Sequence, residues 1–340
     1  MYRLWIQSNS TTHTPTGVAI GTHGMKGRIL YRRGTRLLAA GMLGLASNAI
    51  EAQRPPAGSA DGESMSPWAY SIRGGAVQQF ESDLDEGGAY SADRFYIQAG
   101  ANRLMGPRRF AGLSIGYGYD NYTFAGDSGF SGLDPWSNVN TLRLSAPIRW
   151  PVREKWALFA LPTLRATAQS GANLGEGLSG GILGGASYKI SETLSIGPGL
   201  GLLTDIEEGI SAFPILLVDW KITSSLALRT GRGLAATRGP GLELGWDPSQ
   251  AWSLAVGARY DSFRFRLDDD GPSPGGVGEE KGFPVYLSAS YNAIPRLRLS
   301  ALGGMTFGGS LRLEDERGDL IAQSDYDPAP FLGLVFDIKL

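Results

Sequence analysis

The side chains of this sequence that could bind or react with a ligand are charged residues, and these alternate with apolar ones. Around residues 142–150, for example, Arg143 and Arg149 alternate with Leu142, Leu144 and Trp150. Arginines around a water-filled pore would select anions, whereas Arg–carboxylate pairs would fill a closed lumen. We keep both interpretations open. The charged residues expected to face a common interior are Arg143, Arg149, Arg165, Lys189, Asp205, Asp219, Lys221, Arg229, Glu243, Asp247, Arg259, Arg264, Arg266, Arg296, Arg298 and Arg312.

Catalytic chemistry is poorly represented in the sequence. Its two histidines, His13 and His23, both precede the predicted mature start. The mature chain would therefore lack Ser-His-acid catalysis and imidazole metal ligands. Carboxylate-only chemistry through Glu243 and Asp247 is the remaining route. We expect no enzyme and no catalytic, cofactor-binding or metal-binding residues.

The N-terminal region is typical of an export signal. Basic residues such as Arg32 and Arg33 precede the short apolar run Leu37–Ala46, and small residues follow it up to Ala52. We interpret residues 1–24 as an unstructured extension or a misassigned start, 25–52 as a signal peptide and 53–66 as a periplasmic leader. The absence of cysteine suits an oxidising compartment.

The apolar–polar alternation from residue 68 onward has the period of β-strands and not of helices. It predicts about fourteen strands, with twelve or sixteen as alternatives, over a domain at residues 67–340. Short and long connections alternate along the chain, as in outer-membrane barrels. In hydrocarbon every backbone polar group needs a partner, so the sheet must close. We therefore predict a closed, antiparallel, all-β transmembrane barrel, with a bulge or a change of strand partner near residues 261–262.

Aromatic residues are expected to mark both ends of the barrel, because their rings favour the membrane–water interface. Tryptophans flank two short turns: Trp150 and Trp156 flank one, and Trp246 and Trp252 the other. A second girdle near the long loops would comprise Tyr119, Tyr122, Phe124, Phe213, Phe263 and Phe283. The long loops are expected to include the acidic segments 81–86, 268–280 and 314–319. They would be solvated or would gather cations that bridge lipopolysaccharide phosphates.

Residues 197–340 resemble an uncharacterised family of bacterial outer-membrane barrel domains. The resemblance rests on residues 213–223, which begin Phe213-Pro214, on Gly239–Leu244, on residues 258–267 and on residues 328–333. It implies an outer-membrane protein, a channel or transporter, and supplies no activity. The closing residues 332–340 resemble the strand signal read by the barrel-assembly machinery, although Leu340 stands where phenylalanine is usual.

Taken together, these features predict an outer-membrane protein of a Gram-negative-type bacterium, exported by its signal peptide. We expect a passive channel or transporter for small solutes, with a preference for anions. The alternative is a non-conducting structural or surface-interaction barrel with a filled lumen. Expected partners are lipid, lipopolysaccharide and the assembly machinery, and not nucleic acid, since the formal net charge is −2.

Overall fold

The computed structural model describes residues 67–106, 108–230 and 241–340. The predicted extension, signal peptide and leader lie outside the described residues. No helix in the described ranges is long and apolar enough to span a membrane.

The described residues form fourteen strands, the number that the alternation predicts. The first seven are β1 (Trp68–Asp83), β2 (Ala89–Leu104), β3 (Phe110–Ala125), β4 (Asn138–Ser145, continued by Ile148–Pro151), β5 (Trp156–Gln169), β6 (Leu178–Lys189) and β7 (Leu194–Asp205). The second seven are β8 (Gly209–Lys221), β9 (Leu226–Thr230), β10 (Gly241–Trp246), β11 (Trp252–Arg259, continued by Asp261–Arg266), β12 (Val277–Ile294), β13 (Leu297–Glu314) and β14 (Leu320–Tyr326, continued by Ala329–Lys339). One 3-10 turn, Ser131–Leu133, lies between β3 and β4.

The sheet closes on itself, which confirms the predicted barrel. Each strand pairs antiparallel with the next, and β1 pairs with β14 from Ser71 opposite Lys339 to Gln79 opposite Phe331. Closure removes both sheet edges, which would otherwise leave backbone donors and acceptors unpaired. An ion pair also joins the two strands of this seam, since the Arg73 guanidinium lies 2.8 Å from the Asp337 carboxylate.

The outward face of the barrel is apolar. Large side chains along it are widely exposed, among them Leu113 (55%), Leu216 (57%) and Leu287 (67%). Soluble monomers rarely expose contiguous apolar patches above a few hundred square ångströms. The outward surface therefore suits hydrocarbon, as the alternation predicts.

Tryptophans stand exposed at the end of the barrel that carries the short turns. Trp156 packs against Tyr188, with ring centroids 4.8 Å apart, and Trp252 packs against Tyr291 at 5.1 Å. Each pair joins neighbouring strands at directly opposed positions. This arrangement fits the predicted interfacial girdle.

The girdle predicted for the opposite end is wrong at four positions. Tyr122, Phe213 and Phe263 are buried, and Phe124 packs against the buried cluster near them. Their side chains have the parity of the inward face, so they fill the interior instead of meeting lipid. Phe283 does face outward, with half of its side chain exposed.

The connections at the long-loop end are shorter than predicted, because two hairpins extend beyond the barrel wall. β12 already begins at Val277, and the segment Leu320–Tyr326 of β14 pairs with β13. Parts of the acidic segments that were predicted to be loops therefore belong to strands.

Gly304 of β13 provides a test of the packing inside the wall. A Cβ at this position would overlap the backbone carbonyl oxygen of Val285 and crowd the Phe331 ring. We predict that Gly304→Ala lowers the free energy of unfolding by roughly 2 kcal/mol, because a backbone group cannot move aside cheaply. Gly245→Ala is the control, since the nearest atom to its Cβ would be 3.9 Å away. Urea unfolding in detergent micelles measures both, and equal losses would contradict the prediction.

Candidate functional site

A hairpin that leaves the barrel wall crosses the lumen at the long-loop end. This mouth hairpin comprises residues 261–282: the second segment of β11, the connection 267–276 and the start of β12. Its register is continuous, since Ala258 opposes Val285 and Asp261 opposes Gly282. Arg266 forms a parallel bridge with Ala168 of β5, a strand on the far side of the barrel. The irregularity predicted near residues 261–262 is thus not a bulge: β11 keeps β12 as its partner on one edge and changes partner on the other edge, from β10 to β5.

One face of the mouth hairpin packs into an aromatic cluster. Phe263 and Phe265 are buried, and the Phe265 ring centroid lies 5.3 Å from that of Trp136 and 6.1 Å from that of Tyr122. Trp136 is itself buried and comes from the β3–β4 connection. Burial of these rings stabilises the inward position of the hairpin.

The opposite face of the mouth hairpin carries arginines into a buried polar layer. Arg264 is fully buried; its guanidinium lies 2.7 Å from the Glu314 carboxylate and donates to the Ile206 carbonyl at 3.0 Å. Arg266 donates to the Gly275 carbonyl and forms an ion pair with Glu207. These contacts join the hairpin to the β7–β8 connection across the mouth.

Glu279 lies at the centre of this polar layer. Its side chain is fully buried, and its carboxylate lies 2.6 Å from Lys281, 3.3 Å from Arg312 and 3.5 Å from Arg264. Three cations around one carboxylate compensate the cost of burying its charge. Glu279 was expected in a solvated acidic loop, as was Glu314; both are buried because the hairpins bring them against arginines.

The carboxylates of Glu208, Glu279 and Glu314 approach one another closely enough to hold a metal ion, within 4.8 Å. The Arg264 guanidinium contacts all three, however, and so occupies the position that a cation would take. Burial raises the pKa of the Glu208 carboxyl, and the neighbouring Arg264 opposes that rise. The arrangement is an ion-pair cluster that anchors the hairpin.

A second ionic layer lies on the β2–β3 side of the mouth hairpin. Arg94 of β2 lies 2.6 Å from Glu280 of the hairpin and 3.3 Å from Asp120 of β3. The Tyr122 hydroxyl donates to Glu280 at 2.6 Å. The hairpin is therefore held by ion pairs on both of its sides.

A partly open cavity of about 160 Å³ lies in the lumen beside this layer. Its polar side comes from β2–β4 and includes Tyr96, Gln98, Thr141 and Arg143. Its apolar side comes from β1 and β12–β14, with the residues Val77, Pro284, Tyr286, Leu302, Phe331 and Val335. Phe263, Glu280 and Lys281 of the mouth hairpin also line it.

The lumen is less uniformly polar than the alternation implies. Leu161 and Leu183 are fully buried on the inward face and pack with Phe159, Ile215 and Leu217. The sequence signal for this patch is the loss of alternation where apolar residues are consecutive, as in residues 158–161 and 214–218. Consecutive apolar residues in a strand place apolar side chains on both faces.

Most charged residues expected in the interior occupy inward-facing or mouth positions. Arg143 and Arg259 line the cavity, while Arg149 and Arg298 are partly buried on inward faces. Arg165 pairs with Asp205 at 3.8 Å, Arg229 with Asp219 at 3.7 Å, and Glu243 accepts a hydrogen bond from the Tyr286 hydroxyl at 2.7 Å. The mouth group comprises Arg264, Arg266 and Arg312.

Four of the expected residues lie instead at the short-turn end. Lys189 pairs with Glu192 of the adjoining turn, and Lys221, Asp247 and Arg296 are exposed. These positions are at or just beyond the last residue of a strand, where the inward direction is no longer imposed by the sheet. The two carboxylates considered for catalysis therefore lie in different surroundings: Glu243 faces the interior, whereas Asp247 is exposed.

Sequence reasoning missed the inner cluster of Arg94, Asp120 and Glu280. Arg94 and Asp120 lie in strands whose alternation is blurred by aromatic residues on both faces. The available signal was their parity with other polar residues of the same strands: Arg94 with Gln98 and Asn102, and Asp120 with Ser114.

Comparison with known proteins gives likenesses only to solved structures. The chain is similar to the COG4313 outer membrane channel from Pseudomonas putida F1 (12% identity, TM-score 0.45), covering 83% of this chain and 99% of that one. It is similar to a Pseudomonas aeruginosa FadL homologue (12%, TM-score 0.40; 80% and 89% covered) and to the translocator domain of the autotransporter NalP from Neisseria meningitidis (12%, 0.37; 85% and 92%). No protein-family model matches the chain, and no curated protein matches it.

Proposed function

We propose that this protein is an outer-membrane β-barrel through which small solutes pass passively, and that the mouth hairpin is its gate. The carrying observation is the bridge between Arg266 and Ala168, which brings the hairpin across the lumen next to a partly open cavity. The apolar outward face supports insertion in a lipid bilayer. The exposed tryptophans beside the short turns support a membrane–water interface at that end of the barrel. Solute entry then requires the hairpin to move.

A non-conducting barrel is the second candidate, and the ion pairs across the lumen favour it. Arg264 and Glu279 are both fully buried, as in a filled interior. Conductance distinguishes the two functions, because a gate that moves passes ions and a permanent plug does not.

A reversible cross-link between the hairpin and β5 tests the gate. The chain has no cysteine, so the pair Arg266→Cys and Ala168→Cys introduces the only thiols. Directly paired strand positions have the spacing that a disulfide needs. In planar bilayers with potassium chloride, we expect openings from the reduced protein and none from the oxidised one, since the bond holds the hairpin across the mouth.

The matched control is the pair Gly245→Cys and Ala255→Cys, which are directly opposed within the wall. Oxidation of that pair should leave the openings unchanged. Openings that persist in the oxidised Arg266–Ala168 variant would remove the gate from the proposal. Silence in both redox states, with the wild type silent too, would establish the non-conducting barrel.

A further inference from the structure

The lumenal cavity has two chemically distinct sides. β12, β13, β14 and β1 are consecutive around the barrel and give it an apolar side, where Tyr286 and Phe331 pack with Val77 and Leu302. β2, β3 and β4 are also consecutive and give it the polar side. A molecule that satisfies both sides must be amphipathic, with an apolar body and a polar head.

The volume of the cavity suits a small molecule. A buried apolar cavity of roughly 150 Å³ is known to hold one benzene ring. At about 160 Å³ the lumenal cavity has room for a body of that size. Gly116 and Gly118 of β3 help to create this space, because the nearest atoms to a Cβ at either position would be 3.5 to 3.6 Å away.

The polar side favours a negatively charged head. Two arginines, Arg94 of β2 and Arg143 of β4, line this side, and Asp120 is the one carboxylate that β2–β4 contribute to the lining. The other two cations of the lining, Arg259 and Lys281, form ion pairs with Asp261 and Glu279. Each lining carboxylate already contacts an arginine of the lining: Asp120 and Glu280 contact Arg94, and Asp261 contacts Arg259 at 2.7 Å.

A buried hydroxyl in the same lining supplies independent evidence for a ligand. The Thr141 side chain is buried, at 8% exposure, and its Oγ1 has no hydrogen-bond partner among the described residues. An unpaired buried hydroxyl is costly, and a bound acceptor would satisfy it. Thr141 lies two residues before Arg143 on the inward face of β4, so both can reach one head group.

We propose that this cavity is a binding site for a small amphipathic anion, a carboxylate on a single ring or a short apolar chain. The carboxylate is held by Thr141 and the arginines of the polar side, and the apolar body packs against Tyr286 and Phe331. The site deepens the proposed function by defining the class of solute, and it rests on that function only for its role in transport.

Equilibrium binding to the barrel in lipid nanodiscs tests the site, with benzoate as the probe. Benzyl alcohol and benzamidine have the same ring with a neutral and a cationic head. We expect benzoate to bind most tightly, and Gly118→Leu and Gly116→Leu each to weaken it by roughly tenfold or more, because the added side chains fill the cavity. Thr141→Val should weaken benzoate by roughly fivefold and leave benzyl alcohol less affected, since it removes a donor to the charged head.

Gly245→Leu is the matched control, since it places the same side chain on an inward glycine that does not line the cavity. Heat-modifiable migration on gels confirms that each variant is folded. Equal benzoate affinity in the wild type and in both cavity-filling variants would overturn the site. Tighter binding of benzamidine would overturn the anionic head. Binding is measured independently of conduction. A protein that shows no channel openings in planar bilayers would therefore contradict the proposed function but not this binding site.

Discussion

Replacing residues 262–281 by Asn-Gly is expected to raise the single-channel conductance roughly tenfold, because it removes the closure of a lumen that a fourteen-stranded wall surrounds. Asp261 and Gly282 are directly opposed, so a two-residue turn can join them without disturbing β11 or β12 below. The deletion removes Phe263 and Phe265 from the aromatic cluster and Arg264 from the ion-pair cluster together. Neither cluster then spans the mouth.

Planar bilayers measure this change, and vesicle swelling in a small sugar provides a second readout. The control replaces Glu316 and Arg317 of the β13–β14 turn by glycine, which alters a neighbouring connection and leaves the mouth hairpin in place. We expect that control to conduct like the wild type. A deletion variant that folds and stays as closed as the wild type would show that the lumen is filled below the mouth.

Arg264→Met is expected to lower the free energy of unfolding by roughly 3–5 kcal/mol, the cost of leaving buried charges uncompensated. Arg264 is fully buried and contacts Glu208, Glu279 and Glu314. Methionine fills a similar volume but supplies no charge. The hairpin should therefore detach from the mouth before the barrel unfolds, and channel openings should become longer.

Urea unfolding followed by tryptophan fluorescence measures the loss. Arg153→Met is the matched control, since Arg153 is exposed in the β4–β5 turn and its removal should cost little. The double variant Arg264→Met with Glu314→Gln should recover part of the lost stability, because it also removes one of the stranded charges. If Arg264→Met were as stable as Arg153→Met, the cluster would not anchor the hairpin.

The stability of the mouth also has a pH dependence of defined sign. Because burial raises the pKa of the Glu208 carboxyl, the closed mouth favours the protonated form. This contribution is present at pH below the ordinary range of a glutamate and is lost as the pH rises through the raised pKa. Glu208→Gln should remove it.

The wall of the barrel is predictable from the sequence because apolar and polar side chains alternate along each strand. The alternation at Leu142–Trp150 or Leu332–Leu340 defines strands, because only one face of a membrane barrel can be continuously apolar. The strand count, the antiparallel order and the positions of Trp156 and Trp252 next to short turns all come from that local pattern. Each of these properties depends on neighbours in the chain.

The interior could not be predicted in the same way, because it depends on which residues meet across the lumen. Arg266 opposes Ala168, 98 positions earlier in the chain, only because the mouth hairpin bends inward. Glu279 and Glu280 are charged residues of an apparent surface loop, and only their distance to Arg264 and Arg94 makes them part of a buried layer.

The sequence by itself therefore determined the wall: a closed sheet with lipid on one side, since backbone hydrogen bonding in hydrocarbon permits little else. Only the tertiary structure decided that a hairpin crosses the mouth and that a two-sided cavity lies beneath. Strand register and the inward turn of a hairpin create those contacts, and neither produces a periodic pattern in the sequence.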